Sequence, residues 1–139
     1  MLDLQVYRRN SLKIAATRCL KAGLTLGPGH VNYKIFNSLV DGSISPFLAQ
    51  QLVIHVMHLD GVAVACSVVF PIKPTSDDHK ARLVSVYVAP NVRSIGLGNA
   101  LVRAIKKLDF PTNTRLFCTP VDARGASFFK ANGIFPQET

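Results

Sequence analysis

The run "QLVIHVMHLDGVAVACSVVF", residues 51–70, constrains this chain more than any other stretch. Two β-branched apolar runs flank Asp60-Gly61, a dipeptide that accepts the positive φ angles of a tight hairpin. A third run, "ARLVSVYVA" at residues 81–89, follows the polar "KPTSDDHK", which reads as a turn. In it Val84, Val86 and Val88 lie on one face and Leu83, Ser85 and Tyr87 on the other. Three strands in succession commit the middle of the chain to a sheet.

The flanking segments change period. Between Arg9 and Ala22 the apolar residues Leu12, Ala15, Ala16, Cys19 and Leu20 fall at helical spacing, with Arg9, Lys13, Arg18 and Lys21 on the remaining surface. "LQVY" ahead of them reads as a short strand. "GLTLGPG" breaks the helix, residues 31–40 form a second and shorter one, and "DGSISP" reads as a loop. Beyond the third strand, Leu97, Ala100, Leu101, Ala104, Ile105 and Leu108 mark a helix whose C-terminal dipole suits Lys106 and Lys107. "TRLFCTPV" is another strand. A last helix, Ala123 to Ala131, has Asp122 as its N-cap and stops at Asn132-Gly133. The order β-α-α-β-β-β-α-β-α predicts an α/β chain: a mixed sheet flanked by helices, in a single domain over residues 1–139.

Composition excludes several classes. With 48% hydrophobic and 17% charged residues the chain is built to fold, not to stay disordered. Its longest apolar stretch, residues 62–72, is broken by Ser67 and Pro71 and falls short of the ~20 residues of a membrane span. The first ten residues lack the order of a signal peptide. Three cysteines, Cys19, Cys66 and Cys118, have no metal-ligand spacing and read as buried reduced thiols of a cytoplasmic protein, with no metal site. The net charge of +8 is uneven: residues 1–40 and 82–139 each carry +5, and residues 41–81 carry −2. Such a balance favours an anionic partner: a phosphate-bearing cofactor, a nucleic acid or an acidic protein.

"VYVAPNVRSIGLGNAL", residues 86–101, joins the third strand to a helix. The strand ends at Pro90, and Gly96 and Gly98 leave the backbone approachable where unpaired N–H groups and the helix dipole favour negative charge. Arg93 adds a full positive charge. The glycine order is not the dinucleotide fingerprint, and the Gly-Lys-Ser/Thr of the P-loop is absent.

The stretch closely resembles the acetyl-coenzyme A loop of the GNAT superfamily of N-acetyltransferases. That loop is a strand ending V-x-P, then two residues, then Arg or Gln-x-x-G-x-G; Val88, Pro90, Arg93, Gly96 and Gly98 match it. The resemblance extends over most of the chain. "DARGASFFKANGIF" is similar to the family's second motif, with Gly133-Ile134 in place of Gly-Phe. It implies a GNAT-like acyl-coenzyme A N-acyltransferase fold and an acetyl donor whose pantetheine arm pairs with the backbone of Val86 and Val88. The pyrophosphate would lie against backbone amides of Arg93, Ser94, Ile95, Gly96, Leu97, Gly98 and Asn99. Asp122 and Phe129 stand at the usual asparagine and tyrosine of the last helix and join the implied donor-binding set.

The departures concern chemistry. The family's common glutamate, which takes a proton through water, is replaced by Arg82 or Ser85, and its thiolate-protonating tyrosine by Phe129. Ser85 and Tyr87 are the candidates left for catalysis, Tyr87 because it could reach a departing thiolate from the face opposite Val86. His55 and His58, three apart on one strand, read as structural histidines on opposite faces, and Asp77, Asp78 and His79 as a solvated turn. The family usually continues for two more strands that wall the acceptor site, whereas this sequence ends six residues after Gly133. Either the acceptor site is open, or a second subunit in a homodimer completes it.

Three functions fit. The first is direct acetyl transfer from acetyl-coenzyme A to an amine acceptor. The second is a member of the same fold directed at nucleic acid, supported by Arg8, Arg9, Lys13, Arg18 and Lys21 but short of aromatic residues among them. The third is a coenzyme A-binding module with weak or no catalysis.

Overall fold

The computed structural model describes residues 2–25, 27–75, 78–93, 95–108, 115–118, 127–128 and 130–136. Six strands form one sheet in chain order: β1 (Leu2–Arg8), β2 (Val53–Leu59), β3 (Val62–Thr75), β4 (Asp78–Val88), β5 (Arg115–Cys118) and β6 (Phe135–Pro136). The first four pair antiparallel; β4–β5 and β5–β6 pair parallel. The β2–β3 hairpin turns at Asp60 and Gly61, both at positive φ as that dipeptide allows. The predicted strand over residues 82–89 is the C-terminal part of β4, interior between β3 and β5.

Helices α1 (Leu12–Lys21) and α2 (Val31–Asp41) cover one face of the sheet. Leu12, Ala15, Ala16, Cys19, Phe36 and Leu39 pack there on Tyr7, Ile54, Val56, Cys66, Val68 and Tyr87. Helix α4 (Leu97–Leu108) covers the other face, where Leu97, Leu101, Val102 and Ile105 pack on Val53, Met57, Val64, Ala65 and Val69. Fully burying one such aliphatic side chain stabilises by about 1.5–3 kcal/mol, so both faces are firmly held. Val86 and Val88 join the α4 layer and Tyr87 the α1/α2 layer, as their alternation requires.

Several boundaries differ from the sequence reading. "LQVY" is the middle of a longer strand, because the whole of Leu2–Arg8 finds partners on β2. A 3-10 turn, Arg9–Ser11, precedes α1, with the Ser11 hydroxyl and the Arg8 backbone bonded to each other. The "DGSISP" loop ends in a further helix, α3 (Pro46–Gln51), with Pro46 in its first turn. Proline has no N–H to lose there and its φ is already helical. "KPTSDDHK" is no turn over most of its length: β3 runs to Thr75 and β4 starts at Asp78, with Thr75 opposite Asp78. Ladder bonds use the backbone, so polar side chains do not stop a hairpin arm from extending. The chain also gains β6, with Phe135 opposite Phe117. Of the last predicted helix, residues 127, 128, 130 and 131 are helical, and Asp122 to Ala126 and Phe129 lie outside the described residues.

The histidines are structural in part. His55 is fully buried with its Nδ1 3.1 Å from the Ser67 hydroxyl, and His58 is half-buried beyond a register shift at Met57/His58. Cys19 and Cys66 are buried free thiols. The hydrogen-bonded Cys19 thiol, and burial after it, push the Cys66 thiol well up, which keeps it protonated. The side chain of Cys118 falls outside the description. Among the described residues no helix is long and apolar enough to cross a membrane, and no cluster of His, Cys, Asp or Glu could hold a metal ion.

Candidate active site

β4 delivers the chain to a 3-10 turn at Pro90–Val92 and then to the start of α4. The first α4 bond runs from the Ala100 N–H to the Gly96 carbonyl at 3.0 Å. The N–H groups of Leu97, Gly98 and Asn99 therefore precede the helical ladder and face outward, the usual seat of an anion. The two glycines do different things. Gly96 has φ +83 and open space where a Cβ would stand, so it supplies the turn and leaves room for a ligand. A Cβ at Gly98 would lie 3.0 Å from Phe128 Cε2 and 3.6 Å from Val88 Cγ2, so its bareness lets the last helix pack against α4. Ile95 is exposed on the loop, Leu97 is buried beneath it, and Ser94 lies outside the described residues.

The second feature is an edge of β4. The Ala89 N–H bonds the Val64 carbonyl at 2.8 Å, so by alternation Tyr87 and Ser85 also turn their peptide groups to β3. Val86 and Val88 point theirs to the opposite side. Among the described residues β5 pairs with β4 only from Lys80 to Arg82, so the outward peptide groups of Val86 and Val88 have no strand partner among them. Arg93 confirms the direction: its Nε donates to the Val88 carbonyl at 2.9 Å, and its guanidinium carbon lies 5.4 Å from the centroid of the Tyr87 ring.

The third feature is on the opposite face of β4, beneath α2. Ser85, nearly buried, donates from its hydroxyl to Oδ1 of Asn32, which is fully buried in the first turn of α2. Nδ2 of Asn32 is buried and has no partner among the described residues, and the same holds for Nδ1 of His30, the residue that caps α2. Burial lowers the His30 pKa, which favours the neutral imidazole. Tyr87 lies on this face, almost fully buried. Neither Asn32 nor His30 is visible to sequence reasoning: both stand off the apolar stripe of α2, and nothing local reports that Asn32 meets Ser85, 53 residues on.

The last turn of the chain is fastened to α4. The Asn132 amide donates to Asn99 Oδ1 at 2.8 Å and to the Phe128 carbonyl at 2.9 Å, and Lys106 Nζ donates to the Asn132 carbonyl. Lys106 therefore serves the end of the last helix instead of only its own dipole.

Two cavities open on the α1/α2 side. One of about 600 Å³ is lined by Asp3, Gln5, Arg18, Lys21, His58 and neighbours, and one of about 440 Å³ lies between α2, α3 and Phe70. Residues of β4 and of the glycine loop line neither of these two cavities.

A strand edge running into a helix N-terminus, with an arginine at the junction, is an arrangement that can receive a phosphate-bearing group. A profile of the acetyltransferase (GNAT) family matches residues 32–133. The chain belongs to the GNAT acetyltransferase family, a class of acyltransferases that use acetyl-coenzyme A. Among solved structures it is similar to aminoglycoside N-acetyltransferase AAC(6')-Iy in complex with coenzyme A, with TM-score 0.63 and 16% identity over 100% of this chain and 91% of that one. An aminoglycoside acetyltransferase from an uncultured soil metagenomic sample gives TM-score 0.71 and 14% identity over 100% and 95%. A ribosomal-protein-alanine N-acetyltransferase from Brucella melitensis biovar Abortus 2308 gives 0.61 and 13% over 99% and 94%. No curated protein sequence matches.

Proposed function

We propose that this protein transfers the acetyl group of acetyl-coenzyme A to the primary amine of a small molecule by direct attack. The observation that carries the reading is the outward peptide edge of Val86 and Val88, without a strand partner among the described residues, leading into the N-terminus of α4 with Arg93 on the Val88 carbonyl. The edge offers N–H and C=O groups to the amide units of pantetheine, and the α4 N-terminus offers N–H groups to the pyrophosphate. The residues present fit that donor: the loop is open at Gly96, and the net charge of +8 favours a polyanion. The two aminoglycoside enzymes among its structural relatives support a small-molecule acceptor.

In the reaction the amine nitrogen bonds the acyl carbon, the C–S bond breaks, and sulfur leaves with the electron pair. The ammonium proton must be removed first, and a proton must reach the thiolate. His30, kept neutral by burial, accepts the ammonium proton directly or through water, and Tyr87 supplies the proton to sulfur. Positioning alone can contribute about 7 kcal/mol or more, so a site without the family's usual glutamate and tyrosine still catalyses. The buried free thiols Cys19 and Cys66 support a reducing, cytoplasmic location.

The test is native mass spectrometry of the purified protein for bound coenzyme A, followed by an amine panel with acetyl-coenzyme A and detection of free thiol. Acetylated amine with stoichiometric thiol release is expected. Coenzyme A binding without turnover on any amine or peptide would leave a binding module and refute the enzyme reading.

A further inference from the structure

We propose that the Asn32 side-chain amide is a catalytic hydrogen-bond donor to the acyl carbonyl oxygen, and that Ser85 positions it. The inference rests on the donor reading above and deepens it by assigning the group that polarises the thioester.

Asn32 is an anomaly that needs an explanation. It is fully buried, yet only one half of its amide is used: Oδ1 accepts from the Ser85 hydroxyl, and Nδ2 has no partner among the described residues. A buried N–H donor left unpaired costs about 1–3 kcal/mol, so a chain that keeps one has a use for it. An asparagine whose only role was to hold Ser85 could be replaced by an apolar residue opposite an alanine at little cost.

Its location says what the use is. A donor seated at the α4 N-terminus runs its arm back along the free edge of β4. Four residues back from Ala89, ~13 Å at ~3.3 Å per residue, lies Ser85. Among the described residues β5 pairs with β4 no further than Arg82, three residues short of Ser85, and the arm would turn from the edge to the α2 face there. There the group presented is an N–H, and its complement must be an acceptor. The acceptor amine offers N–H groups of its own, whereas the carbonyl oxygen offers lone pairs and gains negative charge as nitrogen adds to carbon. A fixed donor in a dry setting is worth most against charge that develops during the reaction. Ser85 engages Oδ1, which leaves Nδ2 as the unused half of the amide.

The consequence can be read in binding, before any acceptor is known. Acetyl-coenzyme A and S-ethyl-coenzyme A, in which a methylene replaces the carbonyl, are compared by calorimetry with free coenzyme A as reference. Wild type should prefer the acetyl form over the ethyl form by about tenfold, the value of one well-placed hydrogen bond to a buried donor. Asn32→Leu, of similar volume, should bind free coenzyme A as wild type does and lose the preference. Ser85→Ala should lose part of it, because the amide is then free to turn.

Acetyl transfer to water, followed by thiol release, should fall in kcat and not in KM for Asn32→Leu. A merely structural asparagine would weaken all three ligands together. Wild type with no preference for the acetyl form overturns the inference without any variant, and so does a preference that survives in Asn32→Leu to within about twofold. If Asn32→Leu fails to fold, an unchanged preference in Ser85→Ala overturns the Ser85 assignment, and the wild-type comparison still tests the donor. Failure of wild type to bind free coenzyme A is a separate outcome that refutes the donor reading itself.

Discussion

Arg93 donates from Nε to the carbonyl of Val88, closing over the outward-facing acceptor of the β4 edge. In the proposed donor mode, the arginine that should attract the phosphates thus also occupies a group the pantetheine arm would need. Binding must exchange one partner for the other, and the net value of the arginine is smaller than a charged contact would suggest.

Arg93→Ala therefore has opposite effects on two ligands. Coenzyme A should bind more weakly, by about 1–2 kcal/mol at low salt, with the deficit shrinking as salt rises because the side chain is exposed. Pantetheine, without phosphates, should bind equally well or better. Calorimetry of both ligands checks this; equal losses for the two would show that the Arg93 contact does not guard the edge.

Gly96 and Gly98 should fail in different ways. Gly96→Ala faces open space, so its cost is the left-handed backbone, about 1 kcal/mol. Gly98→Ala drives a methyl against the Phe128 ring, costing about 1–3 kcal/mol as overpacking does. Phe128→Leu alone should destabilise, but in the Gly98→Ala background part of that loss should be recovered. A double-mutant cycle of thermal melts reads the coupling, and additive effects would contradict the contact.

Burial lowers the His30 pKa, so the unfolded chain binds its proton more readily than the folded one. Stability should then rise with pH through the window below the unfolded value of about 6.5 and level off above it. Conversely, as pH falls from 6.5 the folded state loses stability until the lowered pKa is passed. His30→Gln should flatten this part of the melting-temperature profile. An unchanged slope between about pH 5 and 6.5 would remove His30 as its source.

Tyr87→Phe keeps the ring that packs in the α1/α2 layer and lies under Arg93. Coenzyme A affinity should stay the same while kcat falls by about 100-fold, as loss of a positioned acid does. The complementary change, Phe129→Tyr, should restore part of that rate in the Tyr87→Phe background. A kcat within about twofold of wild type for Tyr87→Phe would leave water or the amine as the proton source.

What could be read from the sequence was local. The strands announced themselves because Val53–Leu59, Val62–Val69 and Leu83–Val88 are β-branched and regular, and the donor loop because five matching residues lie within eleven positions. Helix α3 was missed although Ser45-Pro46 is a helix start, because six residues give too few turns for a period to show. The long β3–β4 arm was missed because its side chains are polar while its pairing is not a side-chain property. Asn32 with Ser85, and Gly98 with Phe128, join residues from distant parts of the chain. No spacing rule connects them; only the folded sheet does.

The Asn132 amide grips Asn99 at the head of α4, and Lys106 from the same helix grips the Asn132 carbonyl. The turn at Asn132 is thereby clamped at both the head and the body of the helix proposed to hold the pyrophosphate. Whatever steadies the head of α4 steadies that turn as well, including the exposed Lys130 just before it. Occupancy of the donor groove would be recorded some thirty residues downstream, as slower tryptic cleavage after Lys130.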